Sequence, residues 1–62
     1  MSELLTVLIA DDNAADRLLL STIVSRQGHR VITAANGLEA LALFAQERPQ
    51  LVLMDALMPV MD

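Results

Sequence analysis

Leu51-Val52-Leu53-Met54-Asp55-Ala56-Leu57-Met58-Pro59-Val60-Met61-Asp62 is the stretch on which the reading of the fold turns. Four apolar residues in a row, Leu51 to Met54, predict a short strand buried on both faces, as in the middle of a parallel sheet. The strand ends on a carboxylate, Asp55, and a proline-containing loop follows. In open α/β sheets, ligands bind at that end of the strands. Val7-Leu8-Ile9-Ala10 is a second strand of the same kind, and it runs into Asp11-Asp12. Asp11, Asp12 and Asp55 then meet at the ends of neighbouring strands. Like charges brought that close repel, and a bound divalent cation is the usual remedy.

Between these two strands the pattern alternates. Leu4 to Ala10 is expected as the first strand. Asn13 caps a helix from Ala14 to about Gln27, with Asp16 at the capping-box spacing. Ala15, Leu18, Leu19, Thr22 and Ile23 form its apolar stripe, which Leu20 and Val24 widen until much of the helix girth is expected to be covered. Gly28 suits the left-handed residue that ends a helix. Val31 to Ala34 reads as a second strand with β-branched residues at its start. Asn36-Gly37 is compatible with a hairpin turn, but the spacing of Ala40, Leu41 and Phe44 is helical and Asn36 with Glu39 makes a capping box. The second helix therefore covers Leu38 to Glu47, and Pro49 stops it by pushing the residue before it out of the helical region.

The order is β-α-β-α-β. Each strand–helix–strand unit is expected to be right-handed, which leaves strand orders 1-2-3 and 2-1-3 open. If Asp11, Asp12 and Asp55 share a site, strands one and three are neighbours and the order is 2-1-3.

Composition bounds the function. The chain has 62 residues, of which 55% are hydrophobic, so it holds one small domain with a core rather than a disordered segment. Phe44 is its one aromatic residue, leaving the core to aliphatic side chains. A net charge of −4 argues against direct binding of nucleic acid, which needs a basic face. The absence of cysteine excludes disulfides and thiolate metal sites. No apolar run approaches the ~20 residues that span a bilayer, and no signal peptide is visible, so a cytoplasmic protein without a membrane partner is expected.

Val7-Leu8-Ile9-Ala10-Asp11-Asp12-Asn13, then Gly28, Ala35-Asn36-Gly37-Leu38-Glu39-Ala40-Leu41, Pro49, Leu51, and finally Asp55-Ala56-Leu57-Met58-Pro59-Val60-Met61-Asp62 together resemble the N-terminal half of a response-regulator receiver domain, the phosphoacceptor module of two-component signalling. The resemblance runs without a gap over essentially the whole chain. It implies a flavodoxin-like doubly wound parallel sheet, here residues 1–62 as a partial domain. It implies Asp55 as the residue that receives a phosphoryl group. Asp12 would be a direct Mg²⁺ ligand, Asp11 would act mainly through a metal-bound water, and the backbone carbonyl of Leu57 would add an oxygen; Mn²⁺ can substitute. The donor would be a sensor histidine kinase or a phosphotransfer protein, and any output domain lies outside this chain. The family's second half brings two further strands and three helices, with a hydroxyl residue and a lysine that contact the phosphoryl group. This chain has no lysine. Metal binding is expected to survive without that half; efficient phosphorylation is not.

Other residues have plainer expectations. Arg17, Arg26, Arg30 and Arg48 are expected as solvated surface charges, and His29 as a loop residue without a catalytic part. Met54, Met58 and Met61 serve packing, Asp62 is solvated, and Asp16 and Glu39 are capping residues. Two rivals differ in class. A haloacid-dehalogenase-like phosphohydrolase would need a second carboxylate where Leu57 stands. A half-receiver could serve instead as an interaction module without phosphotransfer. A nucleotide-binding Rossmann unit is unsupported, since residues 11 to 16 after the first strand contain no glycine. The outer edge of strand 51–54, apolar and uncharged, is expected either to pair with a second copy of the chain near residues 51 to 62 or to be covered by the rest of a longer chain.

Overall fold

The computed structural model describes residues 4–54. Their elements are β1 (Thr6–Ala10), α1 (Ala14–Arg26), β2 (Arg30–Ala34), α2 (Gly37–Glu47) and β3 (Leu51–Met54). The three strands form one parallel sheet in the order β2-β1-β3. Both crossovers are helices, as parallel neighbours require. Thr6 to Ala10 lie opposite Arg30 to Ala34 on one edge of β1, and Val7 to Ala10 lie opposite Leu51 to Met54 on the other.

β1 is the core. Val7, Leu8, Ile9 and Ala10 are all at most 1% exposed. Side chains alternate across a strand, so Leu8 and Ala10 face one way and pack with Ala34 and Ala40, with Ile32 and Leu43 against them; this is the α2 side. Val7 and Ile9 face the other way, toward α1. Both helices pack on β1 and β2.

β3 is the exposed edge strand expected of a half domain, and not the doubly buried strand that its apolar run alone predicts. Leu51 is 44%, Val52 36% and Met54 56% exposed, so β3 is not buried on both faces. Its bounds are as expected, but among the described residues it is hydrogen-bonded along one edge and neither helix extends over it.

Helix α1 departs from expectation. Its half-buried residues are Arg17, Leu20, Ser21 and Val24, spaced i, i+3, i+4, i+7 as a core-facing stripe should be. Leu18, Leu19 and Ile23 point outward, and no residue of α1 is fully buried. With apolar residues around so much of the girth, the side that meets the sheet is chosen by the crossover geometry, not by the heaviest stripe.

The helix ends follow local chemistry. Asn13 Oδ1 accepts from the Asp16 amide at 3.0 Å, and Asn36 Oδ1 accepts from the Glu39 amide at 2.8 Å. Glu39 reciprocates by accepting the Ala35 amide at 2.8 Å, which completes the capping box one residue further out than usual. α1 closes on Gln27, followed by Gly28 at φ +93°, a left-handed conformation that glycine adopts without a steric penalty. α2 closes on Arg48, which is itself left-handed (φ 49°, ψ 59°). The helix thus stops where Pro49 predicts, but through a left-handed residue in place of the extended one a following proline favours. The Arg48 amide still reaches the Phe44 carbonyl at 3.0 Å.

At the N-terminal end of the sheet, two side chains extend the strand ladders. The Leu5 amide donates to His29 Nδ1 at 3.1 Å, and the Leu5 carbonyl accepts from Arg30 at 2.8 Å. On the other edge, the Thr6 amide donates to Gln50 Oε1 at 2.7 Å and the Thr6 carbonyl accepts from the Gln50 amide at 3.0 Å. The His29 contact explains why β1 begins at Thr6 and not at Leu4: the Leu5 amide is held by an imidazole, and Leu4 is 74% exposed.

Candidate functional site

The C-terminal end of β1 is built from one turn, Asp11-Asp12-Asn13. Asp11 continues the central strand by one residue and is 7% exposed. Its amide donates to the Ala34 carbonyl at 3.1 Å, so the end of β2 holds it from one side. Asp11 Oδ1 accepts from the Asn13 amide at 2.9 Å, the local bond by which an aspartate turns the chain after itself. Asn13 then caps α1. Strand end, acidic turn and helix start are therefore one hydrogen-bonded unit. Asp12 is exposed, as is Asn13, so the pair offers one fixed and one exposed carboxylate.

Beside Asp11 an open groove of about 570 Å³ runs between α1 and β3, lined by Asp11, Asp16 and Leu20 on one side and by Val52, Leu53 and Met54 on the other. On the α2 face a smaller groove of about 240 Å³ lies over β3 between Leu8, Leu41, Phe44 and Met54. It is apolar and carries no candidate chemistry.

Of the residues expected to act, the described part holds Asp11 and Asp12 together at one strand end. Asp55 and Leu57 lie outside the described residues, as do Met58, Met61 and Asp62. Among the described residues no group of three or more His, Cys, Asp or Glu side chains could hold a metal ion; the Asp11–Asp12 pair alone falls short of that number. The donor set among the described residues suits a hard cation: it is carboxylate oxygen only, and Asp11 commits Oδ1 to the turn while Oδ2 has no partner among these residues. Mg²⁺ takes this type of site, one or two carboxylates with water and phosphate completing the shell.

The arginines do not all behave as solvated charges. Arg17 is half-buried, and its Nη1 donates to the Asp11 carbonyl at 2.7 Å. Arg30 pairs with Glu47 at 2.9 Å across β2 and α2, an exposed bridge of small energetic worth. His29 accepts a backbone hydrogen bond far from the acidic turn, in keeping with a non-catalytic residue.

Residues 7–62 match the family described as the response regulator receiver domain. The chain belongs to that family. Curated relatives include sporulation initiation phosphotransferase F of Bacillus subtilis, 45% identical over 56 residues that make up 90% of this chain and 45% of that protein. A probable transcriptional regulator, ycf27 of Guillardia theta, is 50% identical over 56 residues, 90% of this chain and 22% of that protein. The fold is similar to that of a chemotaxis response regulator, CheY4 of Vibrio cholerae, with a TM-score of 0.89 at 37% identity, covering 95% of this chain and 49% of that one. This receiver chain thus spans less than half the length of each of these relatives. Among its described residues no helix is long and apolar enough to cross a membrane.

Proposed function

We propose that residues 1–62 are the phosphoacceptor half of a receiver domain, taking a phosphoryl group onto Asp55 from a phosphohistidine of a sensor kinase or phosphotransfer protein in the cytoplasm. One register pairing carries the reading. Ala10 lies opposite Met54 on adjacent parallel strands, and each is followed in sequence by an aspartate, Asp11 and Asp55.

In this reading an Asp55 carboxylate oxygen attacks phosphorus, the P–N bond to the imidazole breaks, and an aspartyl phosphate forms, a known type of carboxylate nucleophile chemistry. Asp12 and Asp11, with the Leu57 carbonyl, are the residues that would hold Mg²⁺ or Mn²⁺. A cation there supplies neutralisation of the phosphoryl oxygens' charge, the dominant need in phosphoryl transfer. Asp11, buried and tied to Asn13, keeps its carboxylate at one place; Asp12, exposed, adapts to the incoming group. The chain acts as a regulatory acceptor and not as an enzyme on other substrates. Where β3 stands as an edge strand, its apolar outer side also favours self-association of the isolated chain.

Labelling by a small phosphodonor tests the assignment. Acetyl phosphate with Mg²⁺ is expected to modify Asp55 in a chain extended to full receiver length, located by mass spectrometry after digestion, and Asp55→Asn to abolish it. The 62-residue chain is expected to label roughly 10²–10³-fold more slowly, the usual worth of one missing charge-stabilising group. A phosphoryl group found on another residue of the extended chain removes Asp55 as the acceptor. An extended chain that is never labelled favours an interaction module.

A further inference from the structure

Arg17 grips the acidic turn from both sides. Its own amide donates to the Asn13 carbonyl at 2.9 Å, the first bond of α1, and its guanidinium turns back to the Asp11 carbonyl at 2.7 Å. Asp11 is thereby held at three atoms: its amide by Ala34, its Oδ1 by Asn13 and its carbonyl by Arg17. The carbonyl is the one that matters. β2 ends at Ala34, whose carbonyl takes the Asp11 amide, and among the described residues the donor to the Asp11 carbonyl is this half-buried side chain. A side chain that only balanced the acidic charge would turn to a carboxylate; among the described residues this one is hydrogen-bonded to the backbone.

We propose that Arg17 is a positioning residue for the acidic site, fixing the Asp11 backbone so that its carboxylate is presented to a divalent cation. The proposal rests on the reading of Asp11 and Asp12 as cation ligands. It predicts a sign. A guanidinium, charged at every accessible pH, repels an incoming cation, so by charge alone its removal tightens binding. If its bond to Asp11 dominates, removal weakens binding, as loss of an outer partner of a metal ligand does.

Mn²⁺ alone is the probe, its binding followed by electron paramagnetic resonance in wild type, R17Q, R17K and D12N. R17Q is expected to bind about tenfold more weakly, at the low end of outer-partner losses. R17K, which keeps a donor and the charge, is expected to restore most of the affinity. In the metal-free proteins, exchange of the Asn13 amide is expected to quicken in R17Q and not in R17K, because the carboxylate that accepts it has lost its anchor. R17Q binding as tightly as wild type or tighter, with D12N weakened, overturns the role of Arg17 and leaves the acidic site standing. D12N binding like wild type overturns the acidic site itself, and Asn13 exchange then still judges the hold on Asp11. Should R17Q fail to fold, nitrogen spectra of the wild-type guanidinium decide: resolved Nη signals report the hydrogen-bonded group, and a single averaged signal overturns the proposal.

Discussion

β1 and β3 are near-copies as sequence: four apolar residues, Val7-Leu8-Ile9-Ala10 and Leu51-Val52-Leu53-Met54, each followed by aspartate. They lie side by side and in register. Yet Leu8 is 1% exposed and Leu51 44%. The difference comes from place. Among the described residues, β1 has a strand on each edge and a helix over each face, whereas β3 has one neighbouring strand and lies beyond both helices. An apolar run states that a segment can be buried; the topology decides whether it is.

The sharpest way to break this contrast is one substitution made twice. Leu8→Ala should cost roughly 3–5 kcal/mol, the range for emptying a filled core site, which is most of the stability of so small a domain. Leu51→Ala should cost about 1 kcal/mol or less, since much of the side chain is already in water. Thermal or urea melts read both. Equal losses would mean that β3 is covered in solution.

A second experiment asks what covers it. Val52→Lys adds a charge to the exposed strand, a device natural edge strands use against pairing. Light scattering is expected to show less self-association than in wild type, with stability changed by only ~0.5 kcal/mol, as for other surface sites. An unchanged particle mass would place any association elsewhere. The smallest effects concern the far end of the sheet. His29→Ala should cost about 1 kcal/mol, the net worth of one hydrogen bond in a half-buried position, and Gln50→Ala a few tenths, because that bond is exposed. If both variants melt like wild type, the side-chain bonds at Leu5 and Thr6 add nothing to the backbone ladder.

Much of the architecture was legible beforehand. The alternation of elements, the 2-1-3 order, the caps at Asn13 and Asn36 and the bounds of β3 all rest on local chemistry or on one inference about converging aspartates. What was not legible depends on neighbours. Which side of α1 faces the sheet could not be read, because Leu18, Leu19, Leu20, Ile23 and Val24 wrap the helix. Arg17 escaped notice for a different reason: its partner is a backbone carbonyl six residues earlier, and no residue type marks a carbonyl that lacks a donor. At the site, Asp11 and Asp12 could be named from their position after an apolar strand. The unequal burial of the two could not, since it depends on the bond to Asn13 and on the end of β2.

The bonds to His29 and Gln50 have a consequence beyond their energy. In a strand the side-chain period is two, so a slip of one residue turns every side chain to the opposite face. Parallel strands joined by crossovers have no tight turn to set their alignment. Here each neighbour of β1 is pinned at its first residues, through Leu5 on one edge and Thr6 on the other. A slipped β3 would move its far end by one strand rise, about 3.3 Å, and turn Met54 toward α1. The clamps thus act as the alignment marks of the sheet, and a polar contact at one end sets which residues stand level with Asp11 at the other.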